Sequence, residues 1–153
     1  MPGIAKFKFK ASNKWVGGGL NRTKINNFYG TEKELSHKEP FELEADEPPL
    51  LLGEDKGPNP VEYALTALAS CVTTSIVYHA AAKGIEIRGV ESRLEGDLDL
   101  RGFLGISNEV PVGYEKIRIH FRESSQMNTR CLIRTLGQVF PYFLGRKREN
   151  RGH

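Results

Sequence analysis

The sequence predicts an α+β domain built on an antiparallel sheet. Three observations carry this reading: short alternating runs in the first 45 residues, one long apolar segment with helix-end signals at 59–84, and two more alternating runs after it. A weaker helical pattern at 127–140 completes the order: strands, long helix, strands, helix.

Residues 4–10 alternate apolar and basic side chains, which predicts a half-buried strand with its lysines outward. Gly17, Gly18 and Gly19 mark a turn or bulge. Residues 20–29 and 40–45 follow as strands, the second alternating cleanly as FELEA. Residues 46–58 hold three prolines and two glycines and predict a loop. Leu50, Leu51 and Leu52 sit in that loop. They either fill the edge of this domain's own core or cover an apolar pocket or partner surface.

The helix signals are the clearest. Asn59 suits the N-cap, Pro60 the first helical position, and Glu62 falls at N3, so Asn-Pro-Val-Glu forms a capping box. Lys83 and Gly84 mark the far end. Between them apolar residues occur all around the wheel, interrupted by Thr66, Ser70, Thr73, Thr74 and Ser75. Such a helix is expected to be buried on most sides. Its span of about 37 Å exceeds what one small domain needs across its middle, which predicts a central helix wrapped by sheet and shared with a second subunit. Residues 85–100 then alternate in two runs, 102–114 form a glycine-rich loop, and 114–122 alternate again.

The chain has 153 residues, enough for one domain spanning 1–153 with a real core. Arg146, Lys147, Arg148 and Arg151 make the end at 145–153 a basic tail, which is expected to be solvated rather than to bind nucleic acid. No long uninterrupted apolar run or secretory leader is evident, so a cytoplasmic protein with no membrane span is expected. The four histidines at 37, 79, 120 and 153 form no metal motif, and there is no nucleotide-binding glycine loop, so neither metal nor resident cofactor is expected. Two cysteines, Cys71 and Cys131, are too few for a disulfide scaffold. Chemistry, if present, falls to a cysteine. Cys71 is either a reactive thiol or a small buried hydrophobe. His79, two turns further along the helix, is too far to serve it as a base.

Residues 46–87, 90–107 and 110–122 resemble the OsmC/Ohr family of osmotically inducible and organic hydroperoxide resistance proteins. The most specific part is Gly-Pro-Asn-Pro-Val-Glu at 57–62, followed nine residues later by Cys71 in an Ala/Leu-rich helix. The resemblance implies an intertwined homodimer, with a curved antiparallel sheet, a long central helix and a second C-terminal helix. It also implies a thiol-dependent peroxidase that reduces organic hydroperoxides with an external thiol reductant, such as a dithiol. An arginine and a glutamate assist the thiolate in such proteins. The nearest candidates here are Arg22, three residues beyond the Gly-Gly-anchored place that Gly19 occupies, and Glu62, one residue beyond the place that Val61 occupies. Glu62 also has its capping role. Where the family carries a resolving cysteine before a proline, this chain has Phe140 before Pro141, and Cys131 lies nine residues earlier. The other reading is a non-catalytic protein of the same fold that binds an apolar small molecule.

Overall fold

The computed structural model describes residues 3–125. The chain falls into two compact units, Met1–Tyr63 and Ala64–His153. The second C-terminal helix expected at 127–140, Cys131 and the basic tail lie outside the described residues.

The first unit holds a four-stranded antiparallel sheet. Strands β1 (Lys8–Phe9) and β2 (Ser12–Gly17) lie in line along one edge of β3 (Leu20–Gly30), and β4 (Lys33–Ala45) runs along its other edge. The expected strand at 4–10 is shorter than its pattern suggested, and its residues are exposed rather than half-buried. Its alternation still sorts the side chains, since Phe7 and Phe9 stack at 6.0 Å. Gly17, at the end of β2, and Gly18 lead into the β2–β3 turn, and Gly18 has φ +56.

β4 begins seven residues earlier than its pattern predicts. Thr31 and Glu32 both carry positive φ, 51° and 64°, closing a two-residue hairpin between Gly30 and Lys33. Such a turn matches the strand twist, and glycine normally supplies it. Further along, the β3–β4 register shifts between Ile25 and Asn27, and the four residues from His37 to Pro40 bulge opposite Asn26.

The loop at 46–58 contains one 3-10 turn, Pro49–Leu51. Buried Asp46 organises it, 2% exposed, by accepting the amides of Glu47 (2.8 Å), Glu54 (3.1 Å) and Lys56 (3.2 Å). Leu50 and Leu52 stand 90% and 91% exposed, so these two do not fill the domain's own core.

Helix α1 (Pro60–Ala81) starts and stops where its signals say. Asn59 Oδ1 accepts from Val61 N at 2.9 Å, and Glu62 Oε2 accepts from Asn59 N at 2.9 Å, so the capping box is closed both ways. At the far end Gly84 adopts φ +67 and Ile85 donates its amide to Ala80 at 3.0 Å, a Schellman ending.

In the second unit, Leu68, Val72, Ile76 and Ala80 recur every fourth residue and form one buried stripe. Ile85, Ile87, Val90, Leu94, Ile117, Ile119 and Phe121 pack against it from β5 (Ile87–Leu98), β6 (Tyr114–Ser125) and the turn before them. Among the described residues, the expectation that the helix is buried on most sides does not hold. A two-stranded sheet covers one stripe, and Val77 and Tyr78 remain exposed. By length and composition α1 is apolar enough to cross a bilayer, with mean hydropathy 1.3 over 18 residues, contrary to the sequence reading; in this structure one stripe of it packs against β5 and β6.

β5 and β6 pair antiparallel from Ile87↔Ser125 to Leu98↔Tyr114. The outer face sets opposite charges across the ladder: Glu91 against Arg122, Glu95 against Arg118 and Asp97 against Lys116. The loop expected at 102–114 opens with a single helical turn, α2 (Leu100–Phe103), capped by the Asp99 side chain on Arg101 N.

Candidate functional site

The candidate residues divide between the units. Cys71 belongs to the second; Arg22 and Glu62 belong to the first.

Cys71 is a free thiol at mid-length of α1, one residue before buried Val72. One helical step of about 100° carries it off the stripe and into solvent, where it is exposed. A thiol in the middle of a helix gains little from the helix dipole, which fades within a turn of the end. A reactive thiol at such a place needs a cation beside it. In the second unit Arg88, Arg93, Arg101 and Arg118 already contact carboxylates.

Arg22 lies on β3, directly opposite Glu44 on β4. Its Nε stands 2.6 Å from Glu44 Oε1. Lys24 pairs with Glu42 at 3.3 Å on the same sheet face, and Lys14 faces Arg22 across the β2–β3 ladder. Ser12, Asn13, Lys14, Arg22, Lys24 and Glu42 contribute to a shallow concavity of about 260 Å³. Glu62 closes the helix cap, the role its spacing gives it.

Sequence reasoning missed Glu44 and Asp46. The signal for Glu44 was the alternation of FELEA beside NRTK, which places acids opposite bases once the register is known. The signal for Asp46 was an acid at the entry to a proline-rich loop, a preferred site for side-chain-to-backbone bonds. Burial disfavours the charge on Asp46, but the amides of Lys56, Glu47 and Glu54 outweigh it and hold its carboxyl below the usual carboxylate value. Beside it, Val16, Gly17–Gly19, Leu20, Leu52 and Lys56 line a cavity of about 230 Å³. Gly19 leaves no room for a side chain there, since a Cβ would meet Asp46 Oδ1 at 2.8 Å. No group of histidine, cysteine and acidic side chains among the described residues could hold a metal ion.

The model of the OsmC-like protein family matches residues 53–132, more than half of the chain. The OsmC-like protein from Mycoplasma pneumoniae has a similar solved structure, with a TM-score of 0.62 at 17% identity, covering 88% of this chain and 81% of that one. A candidate osmotic-stress-induced and detoxification-response protein from Psychrobacter arcticus 273-4 gives 0.62 at 14% identity, covering 90% and 88%. A candidate organic hydroperoxide resistance protein from Vibrio cholerae, with captopril in one of its active sites, gives 0.50 at 16% identity, covering 93% and 86%. No curated protein matches the sequence.

Proposed function

Because the chain belongs to the family of OsmC-like proteins, we propose that it is a thiol-dependent peroxidase that reduces organic hydroperoxides through Cys71. One observation carries the reading: the cysteine at mid-length of the family-matched helix is free and open to solvent.

In this scheme the Cys71 thiolate attacks the terminal oxygen of the hydroperoxide. The S–O bond forms as the O–O bond breaks, and the departing alkoxide takes a proton and leaves as an alcohol. Cys71 is then a sulfenic acid. One thiol of an external dithiol displaces water from it to form a mixed disulfide. The second thiol closes the dithiol's own disulfide and returns Cys71 to its reduced form. Arg22 supplies positive charge to the thiolate and to the developing alkoxide. The cycle needs a reducing compartment, and the cytoplasm fits that need.

The active unit is a homodimer. Support comes from apolar surface left bare in the single chain: Phe9, Trp15 and Phe41 on the sheet, Leu50 and Leu52 on the loop, Val77 and Tyr78 on α1. The small-molecule reading keeps one specific support, the 230 Å³ cavity, where Val16, Leu20 and Leu52 share the wall with Asp46, Glu54 and Lys56.

The test is turnover of cumene hydroperoxide with dithiothreitol, together with the mass of the Cys71 peptide. Consumption that vanishes in Cys71→Ser, with one added oxygen on Cys71, supports the peroxidase. No consumption, with Cys71 unchanged by a tenfold excess of hydroperoxide, leaves the binding reading in its place.

A further inference from the structure

Leu100, Phe103, Leu104, Ile106 and Val112, all between β5 and β6, are 40%, 58%, 62%, 70% and 71% exposed. Apolar side chains scattered over a surface are ordinary, but five on one short loop make a patch.

The backbone of this loop is closed on itself. Gly102, Leu104, Gly105, Ile106 and Ser107 donate their amides to the carbonyls of residues 99–102. The Arg101 amide goes to the Asp99 carboxylate at 2.9 Å, and the Glu109 amide to the Ser107 hydroxyl at 3.2 Å. Gly105 turns the chain at φ +67, and Gly102 lies so near the Pro111 carbonyl that a Cβ would collide with it. Two cations beside the patch bring their own counter-charges. The Arg101 guanidinium bonds the Asp99 carboxylate at 2.6 and 3.1 Å, and Arg118, on the adjoining strand, bonds Asp97 and Glu95.

These features decide between two kinds of surface. A stable protein interface takes about 20–30 residues from each side, far more than one short loop offers. A protein partner would also supply donors and acceptors, so a loop that meets one can leave its amides open. A lipid layer supplies none at depth, and what enters it must satisfy its own backbone and carry no unpaired charge. The turn that carries Phe103, Leu104 and Ile106 meets both conditions. Leu50 and Leu52, exposed in the other unit, share their loop with three acids, Glu47, Glu54 and Asp55, against one lysine, Lys56.

We infer that loop 100–112 docks on a surface of zwitterionic phospholipid. Phe103, Leu104 and Ile106 enter the interface, and residues 107–109, which end on the Glu109 carboxylate, stay in the hydrated headgroup layer. Between Asp97 and Arg118 four acids stand against three cations, so anionic lipid adds no attraction. The inference goes beyond the peroxidase reading and does not rest on it.

The experiment mixes the full chain with phosphatidylcholine vesicles, with and without added phosphatidylglycerol, and reads binding by co-sedimentation. Phe103→Trp reports from the loop itself, since the one native tryptophan, Trp15, lies in the other unit. Its emission should move to shorter wavelength on phosphatidylcholine vesicles and be quenched by brominated acyl chains, while wild-type emission does neither. Paired Phe103→Ser and Ile106→Ser should weaken binding by about tenfold or more, as the loss of two large apolar side chains from an interface does. Leu50→Ser should bind as wild type does, and added salt should leave binding unchanged. If the paired variant does not fold, the Phe103→Trp quenching carries the test. No binding to phosphatidylcholine overturns the inference. So does binding that needs phosphatidylglycerol and falls with salt, or an equal loss in Leu50→Ser. A Phe103→Trp emission already at short wavelength without vesicles, and sensitive to protein concentration, would show that a second copy covers the loop instead.

Discussion

Gly96 lies beneath the ring of Tyr114: a Cβ at position 96 would come within 2.4 Å of Tyr114 Cε1. The two residues sit near the β5–β6 turn, where Gly96 faces Ile117 and Leu98 faces Tyr114. The glycine is thus required by an aromatic neighbour rather than by its own backbone. Gly96→Ala should destabilise the protein by about 1–3 kcal/mol, the usual penalty for overpacking. Tyr114→Leu, which withdraws the ring, should recover part of that loss, so the double variant is less destabilised than the sum of the singles. Urea midpoints of the four proteins check this, and strict additivity would refute the contact.

The stripe on α1 separates buried from exposed positions on one helix. Ile76 is 1% exposed against the second sheet, while Cys71 is exposed. Ile76→Ala should cost about 2–5 kcal/mol through the cavity it leaves. Cys71→Ala should stay within about 0.5 kcal/mol of wild type, as surface substitutions do. Thermal unfolding distinguishes them. A large loss at Cys71→Ala would mean that its side chain is buried in the assembled protein, by a second copy or otherwise.

Acid should weaken the fold through three identifiable carboxyls. Hydrogen bonding from Arg118 holds Asp97 below its usual 3.8, Arg101 does the same for Asp99, and the loop amides overcome burial at Asp46. Arg118 is correspondingly raised by its bond to Asp97. A carboxyl with a lower folded than unfolded value stabilises the fold at neutral pH. That contribution is intact above the unfolded value and disappears as pH falls through the folded one. The urea midpoint should therefore be flat from about pH 7 to 5 and fall below about pH 4. Asp46→Asn should flatten the acid limb and speed amide exchange at Glu54 and Lys56, whose N–H groups bond to Asp46 Oδ2. A midpoint that drops already at pH 6 would point to histidine instead.

The parts that were legible in the sequence are those whose cause is local. Asn59, Pro60, Glu62 and Gly84 set the ends of α1 by backbone chemistry within one turn, and the structure keeps each of them. The alternation in β5 and β6 survived because one face meets the helix stripe and the other meets solvent. The first half of β4 was not legible. Its residues 33–39 alternate no apolar side chains, and its turn at Thr31–Glu32 reaches positive φ without glycine. Helix α1 read as buried on most sides because composition reports apolar character and not the number of layers present to cover it. At the candidate site, Cys71 was visible from its spacing to Gly57–Glu62, whereas Glu44 was not. A partner 22 residues away across a ladder depends on register, which alternation alone leaves open.

Once oxidised, Cys71 should depend on a thiol from outside the chain. An efficient second cysteine must bring its α-carbon within about 7 Å of the first. Where the family has a cysteine before a proline, this chain has Phe140 before Pro141, and Cys131 lies elsewhere in the same segment. The sulfenic acid on Cys71 should therefore not close an internal disulfide quickly. It should wait for an external thiol, or take a second oxygen and stop at the sulfinic acid. Turnover should then depend on the concentration of small thiols, and activity should fall at high hydroperoxide. Cys131→Ser should leave turnover within about twofold, the range expected for a residue that makes no transition-state contact. Mass spectrometry after one equivalent of cumene hydroperoxide decides the matter. One added oxygen on Cys71 is the expected product. A loss of two hydrogens, mapped to a Cys71–Cys131 bridge, would show instead that the resolving thiol has moved along the chain, and the enzyme would be a two-cysteine peroxidase.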